Sequence, residues 1–160
     1  MHKDHYENIF CVASGEKVFT ICPPSDALFL KETLVPSGSF RMNSRGKWEV
    51  DPCVVDKETG NLAPFVPWIE SDVEHLLPPA SAEDRQKYIA NYPLLQHAHP
   101  MRIHVKAGEM LYLPSLWYHR VTQTCETVAV NYWYDMRFDS PHWCYFNLLQ
   151  QINSKREDDQ

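Results

Sequence analysis

His2 and Asp4 flank Lys3, and in an extended segment that spacing sends both side chains to the same side, about 6.6 Å apart along the backbone. An imidazole and a carboxylate so placed are two of the three donors in the set of two histidines and one carboxylate that suits non-haem Fe(II) and leaves positions open on the metal. A third donor must come from elsewhere in the chain. The stretch from Ala107 to Val121 (A-G-E-M-L-Y-L-P-S-L-W-Y-H-R-V) offers His119. In a strand from Trp117 to Thr122, Trp117, His119 and Val121 share one face, because successive side chains alternate. An imidazole between a tryptophan and a valine is either a hydrogen-bonded core histidine or a ligand, and it becomes a ligand only with two partners. His2 and Asp4 are candidates for those partners.

Lys17 is the second anomaly. Asn8 to Ala13 (N-I-F-C-V-A) and Lys17 to Cys22 (K-V-F-T-I-C) are β-type runs around Ser14-Gly15-Glu16, and they predict a hairpin. A two-residue Gly-X loop would pair Ser14 with Lys17, Val12 with Phe19 and Phe10 with Ile21. Asn8, Phe10, Val12, Lys17, Phe19 and Ile21 then share a face. An ammonium among aromatic and aliphatic groups needs an anion, and no acidic residue on this face supplies one. Either a ligand carries that anion, or Lys17 sits at the strand start and extends to water.

The elements that must position these residues are legible around them. Met101, Ile103 and Val105 alternate with Arg102, His104 and Lys106, the period of a half-buried strand, and Ala107-Gly108-Glu109 reads as the turn after it. Thr127 to Tyr134 (T-V-A-V-N-Y-W-Y) is rich in β-branched and aromatic residues and predicts a strand that carries Asn131 on the face of Ala129 and Trp133. After Asp139-Ser140-Pro141, the residues Tyr145, Leu148, Leu149 and Ile152 recur at the spacing of an amphipathic helix over 141–154, which would pack on the barrel or on a second copy of the chain. The charged residues from Lys155 onward read as a frayed tail.

Residues 24–100 hold nine of the twelve prolines and form a long insert. Within it, short strands are expected around Asn43-Ser44-Arg45-Gly46, an exposed turn at Asp56 to Gly60, and a helix that opens on the capping box Ser81-Ala82-Glu83-Asp84 and closes near Asn91.

A chain of 160 residues, 44% hydrophobic and 12% aromatic, predicts one globular domain over 1–160. A net charge of −6 without a long basic run argues against direct nucleic-acid binding, and no apolar run is long enough for a membrane helix. Five scattered cysteines, with no C-x-x-C pair, fit a reduced protein of the cytoplasm or nucleus.

Three motifs then stand in one order: H-K-D-H-Y-E-N-I-F-C-V-A-S-G-E-K, A-G-E-M-L-Y-L-P-S-L-W-Y-H and V-A-V-N-Y-W-Y-D. Together they resemble the Jumonji-C (JmjC) oxygenases, closest to the small type known for both peptidase and (3S)-lysyl hydroxylase activity. The resemblance implies a mostly β, double-stranded β-helix (a cupin-like jelly roll) that holds Fe(II) and 2-oxoglutarate. It makes His2, Asp4 and His119 the iron ligands and Lys17 the partner of the far carboxylate of 2-oxoglutarate, with Asn8 and Asn131 near the co-substrate. The implied reaction consumes O2 and hydroxylates a lysine of a protein substrate, expected to be a developmentally regulated GTP-binding protein. Trp48, Val66, Trp68 and Ile69 are candidates to wall the substrate pocket.

In the family, strands and a co-substrate-binding threonine or tyrosine precede the His-x-Asp motif, whereas this chain starts one residue before its first ligand. That departure raises the expectation of an incomplete barrel with weak iron affinity and self-association. Two rival classes remain at this point: a cupin-like binding fragment without catalysis, and a metal-dependent peptidase. A peptidase would use its metal to activate water and has no need of the Lys17 anchor.

Overall fold

A computed structural model describes residues 1–51 and 65–158 of the chain. Cys53 and the turn expected at Asp56 to Gly60 lie outside the described residues. By contacts the chain divides into two compact units, one of residues 1–31 with 70–160 and one of residues 32–69.

The larger unit is built on two three-stranded antiparallel sheets. β1 (Tyr6–Ser14) lies between β10 (Val128–Asp135) and β8 (Met110–Leu113); β2 (Glu16–Cys22) lies between β7 (Met101–Lys106) and β9 (Tyr118–Gln123). Their inner faces meet in a core of Val12, Phe19, Ile21, Val105 and Leu113, with Phe10, Ile103, Leu111, Trp117 and Ala129 packed against it. The Phe10 and Phe19 rings meet edge to face across it, centroids 5.0 Å apart. The fold is the mostly β, cupin-like one expected from the sequence, in the form of two packed sheets rather than a closed barrel.

The predicted β1–β2 hairpin is not formed. Neither strand pairs with the other; each is the central strand of its own sheet. Gly15 (φ +79°) turns the chain across the core instead of back on itself, and a side chain there would collide with the Glu126 carbonyl (2.5 Å) and with Thr127 Oγ1 (2.6 Å). Both strands are apolar enough to demand two neighbours each, which a two-stranded hairpin cannot give. Their inward residues are unchanged by this, because strands that face one another across a sandwich bury the same alternate positions. Gly108 (φ +87°) makes the matching crossover from β7 to β8, and Ala107 N–H donates to the Gly15 carbonyl at 3.0 Å, so the two crossings brace each other.

Around the sheets, Ser81 caps α1 (Ala82–Asn91) by accepting from Asp84 N–H at 3.0 Å, as its capping box predicts. α2 (Pro141–Asp158) starts behind Ser140, whose hydroxyl accepts from Trp143 N–H at 3.2 Å, and it runs past the expected end at 154. It buries Phe146 and Leu149 and leaves Tyr145, Leu148 and Ile152 exposed, so only one residue of the expected apolar stripe faces the core. Apolar residues lie around much of this helix, and the stripe at 145, 148 and 152 competes with Phe146, which the period alone does not single out. Among the described residues, no helix is long and apolar enough to cross a membrane. Cys11, Cys22, Cys125 and Cys144 are free thiols, and burial with Asp26 nearby pushes the Cys22 thiol far up.

In the smaller unit, β3 (Glu32–Pro36) pairs with β6 (Phe65–Ile69), and β4 (Ser39–Met42) with β5 (Trp48–Asp51) around the expected 43–46 turn. Trp48, Val66 and Trp68 are exposed there, while Ile69 is buried.

Candidate metal centre

His2 does not belong to a long strand; it is tied to β9 by a single antiparallel bridge. His2 N–H donates to the His119 carbonyl at 3.1 Å, and His119 N–H returns to the His2 carbonyl at 2.7 Å. Asp4 is fixed from the other side, its carbonyl accepting from Leu116 N–H at 2.8 Å. Leu116, fully buried, holds a left-handed φ of +66° to make that bond. A leucine there costs about 1–3 kcal/mol and persists only where the surroundings over-determine it.

Three donor atoms converge as a result. The side chains of His2, Asp4 and His119 offer ligand atoms that lie within 4.8 Å of one another. His119 Nε2 is 3.5 Å and His2 Nε2 3.8 Å from Asp4 Oδ2, and the two imidazole centroids are 4.4 Å apart. Bonds of about 2.0–2.2 Å to one ion need donors within roughly twice that distance, which both imidazole–carboxylate pairs meet.

The ring orientations also suit the donor set. His119 Nδ1 lies 3.0 Å from the Trp117 carbonyl, which only accepts, so Nδ1 is the donor there and Nε2 is the ring nitrogen that faces the cluster. Burial, with His119 and the chain's N-terminus nearby, pushes the His2 imidazole below its ordinary value against the pull of Asp4, which keeps it neutral and able to ligate. Two imidazoles and a carboxylate fit a divalent cation.

The other predicted residues do not join this cluster. Asn8 sits in β1 with its side chain toward the core, 8% exposed, and its Oδ1 is buried with no hydrogen-bond partner. Buried amides seldom stay unpaired, so this one fits a site that a bound ligand completes. Lys17, half-buried near the start of β2, donates from Nζ to Oε1 of the exposed Gln123 at 2.5 Å. Asn131 lies opposite Phe10 on β10 and is exposed.

Residues 1–140 match the family described as Cupin-like domain. The chain belongs to that family. Over 152 residues (95% of this chain) it is 40% identical to the Bifunctional peptidase and (3S)-lysyl hydroxylase JMJD7 of Homo sapiens. It is 38% identical over 159 residues (94% of the chain) to the JmjC domain-containing protein E of Dictyostelium discoideum, and 40% identical over 156 residues (94%) to the Lysine-specific demethylase JMJ32 of Arabidopsis thaliana. The chain spans 42% of the length of each of these relatives. The JmjC resemblance read from the three motifs is thereby shown, and the cupin-like fold carries its cluster on the loop before β1 and on β9.

One support of this cluster escaped the sequence reading. Glu7 points outward from β1, and its carboxylate accepts from Tyr112 Oη (2.6 Å), Ser115 N–H (3.2 Å) and Ser115 Oγ (2.8 Å). It thus clamps β1 to the turn that holds Asp4. Burial raises the Glu7 carboxyl, but these three hydrogen bonds outweigh it and hold it below its ordinary 4.5. The only sequence signal was the alternation that places Glu7 opposite Asn8. Since the native value is depressed, the clamp is complete above the ordinary glutamate range and is lost as pH falls through the native one. Glu7→Gln is expected to lower stability by about 1 kcal/mol near neutral pH, the carboxylate being partly exposed and screened. Urea midpoints of parent and variant should converge in acid; an equal gap at both pH values would remove the charge from the explanation.

Proposed function

We propose that this chain carries the metal and co-substrate centre of an Fe(II)- and 2-oxoglutarate-dependent oxygenase that hydroxylates lysine side chains of a protein. The observation that carries the reading is the convergence of His2, Asp4 and His119, two imidazoles and one carboxylate, on a cupin-like fold. Bound there, Fe(II) with 2-oxoglutarate supplies the chemistry that puts one oxygen atom of O2 into a C–H bond and releases succinate and CO2.

In this reading the chain's own residues bind and orient. His2 and His119 would each give an Nε2, and Asp4 would balance part of the cation's charge. Lys17 presents its ammonium to the far carboxylate of the co-substrate, exchanging its amide partner Gln123 for an anion. It stands four positions along β2 from Ile21, the register partner of His119, or about 13 Å. An extended lysine side chain and a short dicarboxylate can span that interval. Asn8 completes its hydrogen bonding on the bound molecule, and Asn131 lies near it on β10.

The lysyl substrate follows the printed name of the human relative, and a lysine-bearing GTP-binding protein is the substrate class this reading expects. The exposed Tyr145, Leu148 and Ile152 on α2 support a homodimer as part of the same proposal, with the protein in the cytoplasm or nucleus. The test is to incubate the chain with Fe(II), 2-oxoglutarate, O2 and a lysine-containing peptide of such a protein. Succinate together with a peptide heavier by one oxygen atom is expected. Cation-loaded protein that forms neither would overturn the oxygenase assignment.

A further inference from the structure

The segment that bears two of the three metal donors is itself only a few residues long, and its alternation divides it cleanly. His2 and Asp4 point into the donor cluster, while Lys3 and His5 point the other way, toward α2. Lys3 Nζ lies 5.3 Å from the centroid of the Tyr118 ring and 5.6 Å from that of Phe146. Both rings are buried, at 2% and 0% exposure, and Tyr118 immediately precedes the third donor, His119. The His5 ring meets Trp143 edge to face at 5.4 Å, and Trp143 stacks toward Phe146 at 6.4 Å.

We infer that Lys3 is a positioning residue of the metal centre, its ammonium lodged on Tyr118 and Phe146 so that α2 and β9 together fix the register of His2 and Asp4. This rests on the reading of His2, Asp4 and His119 as cation ligands. The bridge at His2 and the bonds from Leu116 N–H to the Asp4 carbonyl and from Met136 N–H to the His5 carbonyl fix the backbone on both sides of Lys3, but none of them touches its side chain. An ammonium attracted to two ring faces adds a side-chain stop to that backbone frame. His5 on Trp143 adds a second stop on the same side, so the donor face is held by what its opposite face touches.

The inference has a signature of sign. Through space, a lysine ammonium repels a nearby cation, so deleting its charge should tighten metal binding if Coulomb forces alone matter. If Lys3 acts by positioning, deleting the charge should weaken binding instead. Co(II) titration of the chain and of Lys3→Met, followed by the visible absorption of the bound ion, decides between them. Lys3→Met is expected to bind Co(II) about tenfold more weakly, as loss of an outer-shell support commonly does. The urea midpoint of the metal-free protein should move little, and Lys3→Arg, which keeps a cation over the rings, should recover most of the affinity. Unchanged or tighter Co(II) binding by Lys3→Met, beside firm binding by the parent, overturns the positioning role and leaves the metal reading intact. No Co(II) binding by the parent removes both.

Discussion

Asp4→Ala and His119→Ala are each expected to abolish turnover and to weaken divalent-cation binding by more than the tenfold to hundredfold typical of losing an outer-shell partner. Each substitution removes one of the three donors that converge among the described residues, so the remaining pair cannot close around an ion. The fold should survive both changes. Asp4 lies in the loop before β1 and holds that loop through its backbone carbonyl, which alanine retains. His119 contributes an imidazole next to the core of Val12, Phe19, Ile21, Val105 and Leu113 but is not part of it. Calorimetric titration with a divalent cation and a urea midpoint for each variant give the two readouts separately. Hydroxylation retained in both single variants would remove the triad from the chemistry, whatever the donors' proximity.

Lys17→Ala should raise the 2-oxoglutarate concentration required for activity by about tenfold to a hundredfold, the worth of a charge-assisted contact of about 1.5–3 kcal/mol. Cation affinity should stay where it was, because Lys17 stands far along β2 from the donors. The amide of Gln123 holds Nζ in the free protein, and a neutral partner is a weak competitor for an incoming carboxylate. Gln123→Glu therefore provides the converse test: an internal anion should occupy Lys17 and mimic its loss. Co-substrate dependence that neither substitution alters would return Lys17 to the role of a strand-end lysine extending toward water.

Much of this was legible before the fold because period-2 patterning assigns faces. Phe10, Val12, Phe19, Ile21, Ile103 and Val105 all lie inward as their alternation demands. Patterning does not assign partners. Ser14-Gly15-Glu16 carries the same local signal whether the chain doubles back or crosses the core, and the choice is made by β7, β8, β9 and β10, far along the sequence. The donor pair His2 and Asp4 was visible from spacing, and His119 from its place on an apolar face. Their meeting was not, since one bridge joins opposite ends of the chain and only resemblance suggested it. Lys3, His5 and Glu7 look like ordinary solvated residues until α2 and the 114–116 turn are in place around them. On α2 the period groups Tyr145, Leu148, Leu149 and Ile152 but does not say what they pack on: Leu149 is buried beside Phe146, and the other three are exposed.

If the proposed centre takes an ion, the bridge between His2 and His119 would give that ion a part in folding as well as in chemistry. Donors so distant in the chain meet only after the sheets have assembled, and such non-local closure is slow to form. An unfolded chain offers an ion scattered histidines and carboxylates but not this cluster, so the cation binds the native state in preference. At a hundred times its dissociation constant it would deepen the native well by about 2.7 kcal/mol. On the proposed reading, cation supply would shift the folding equilibrium toward the assembled sheets, and a chelator is expected to act as a mild denaturant.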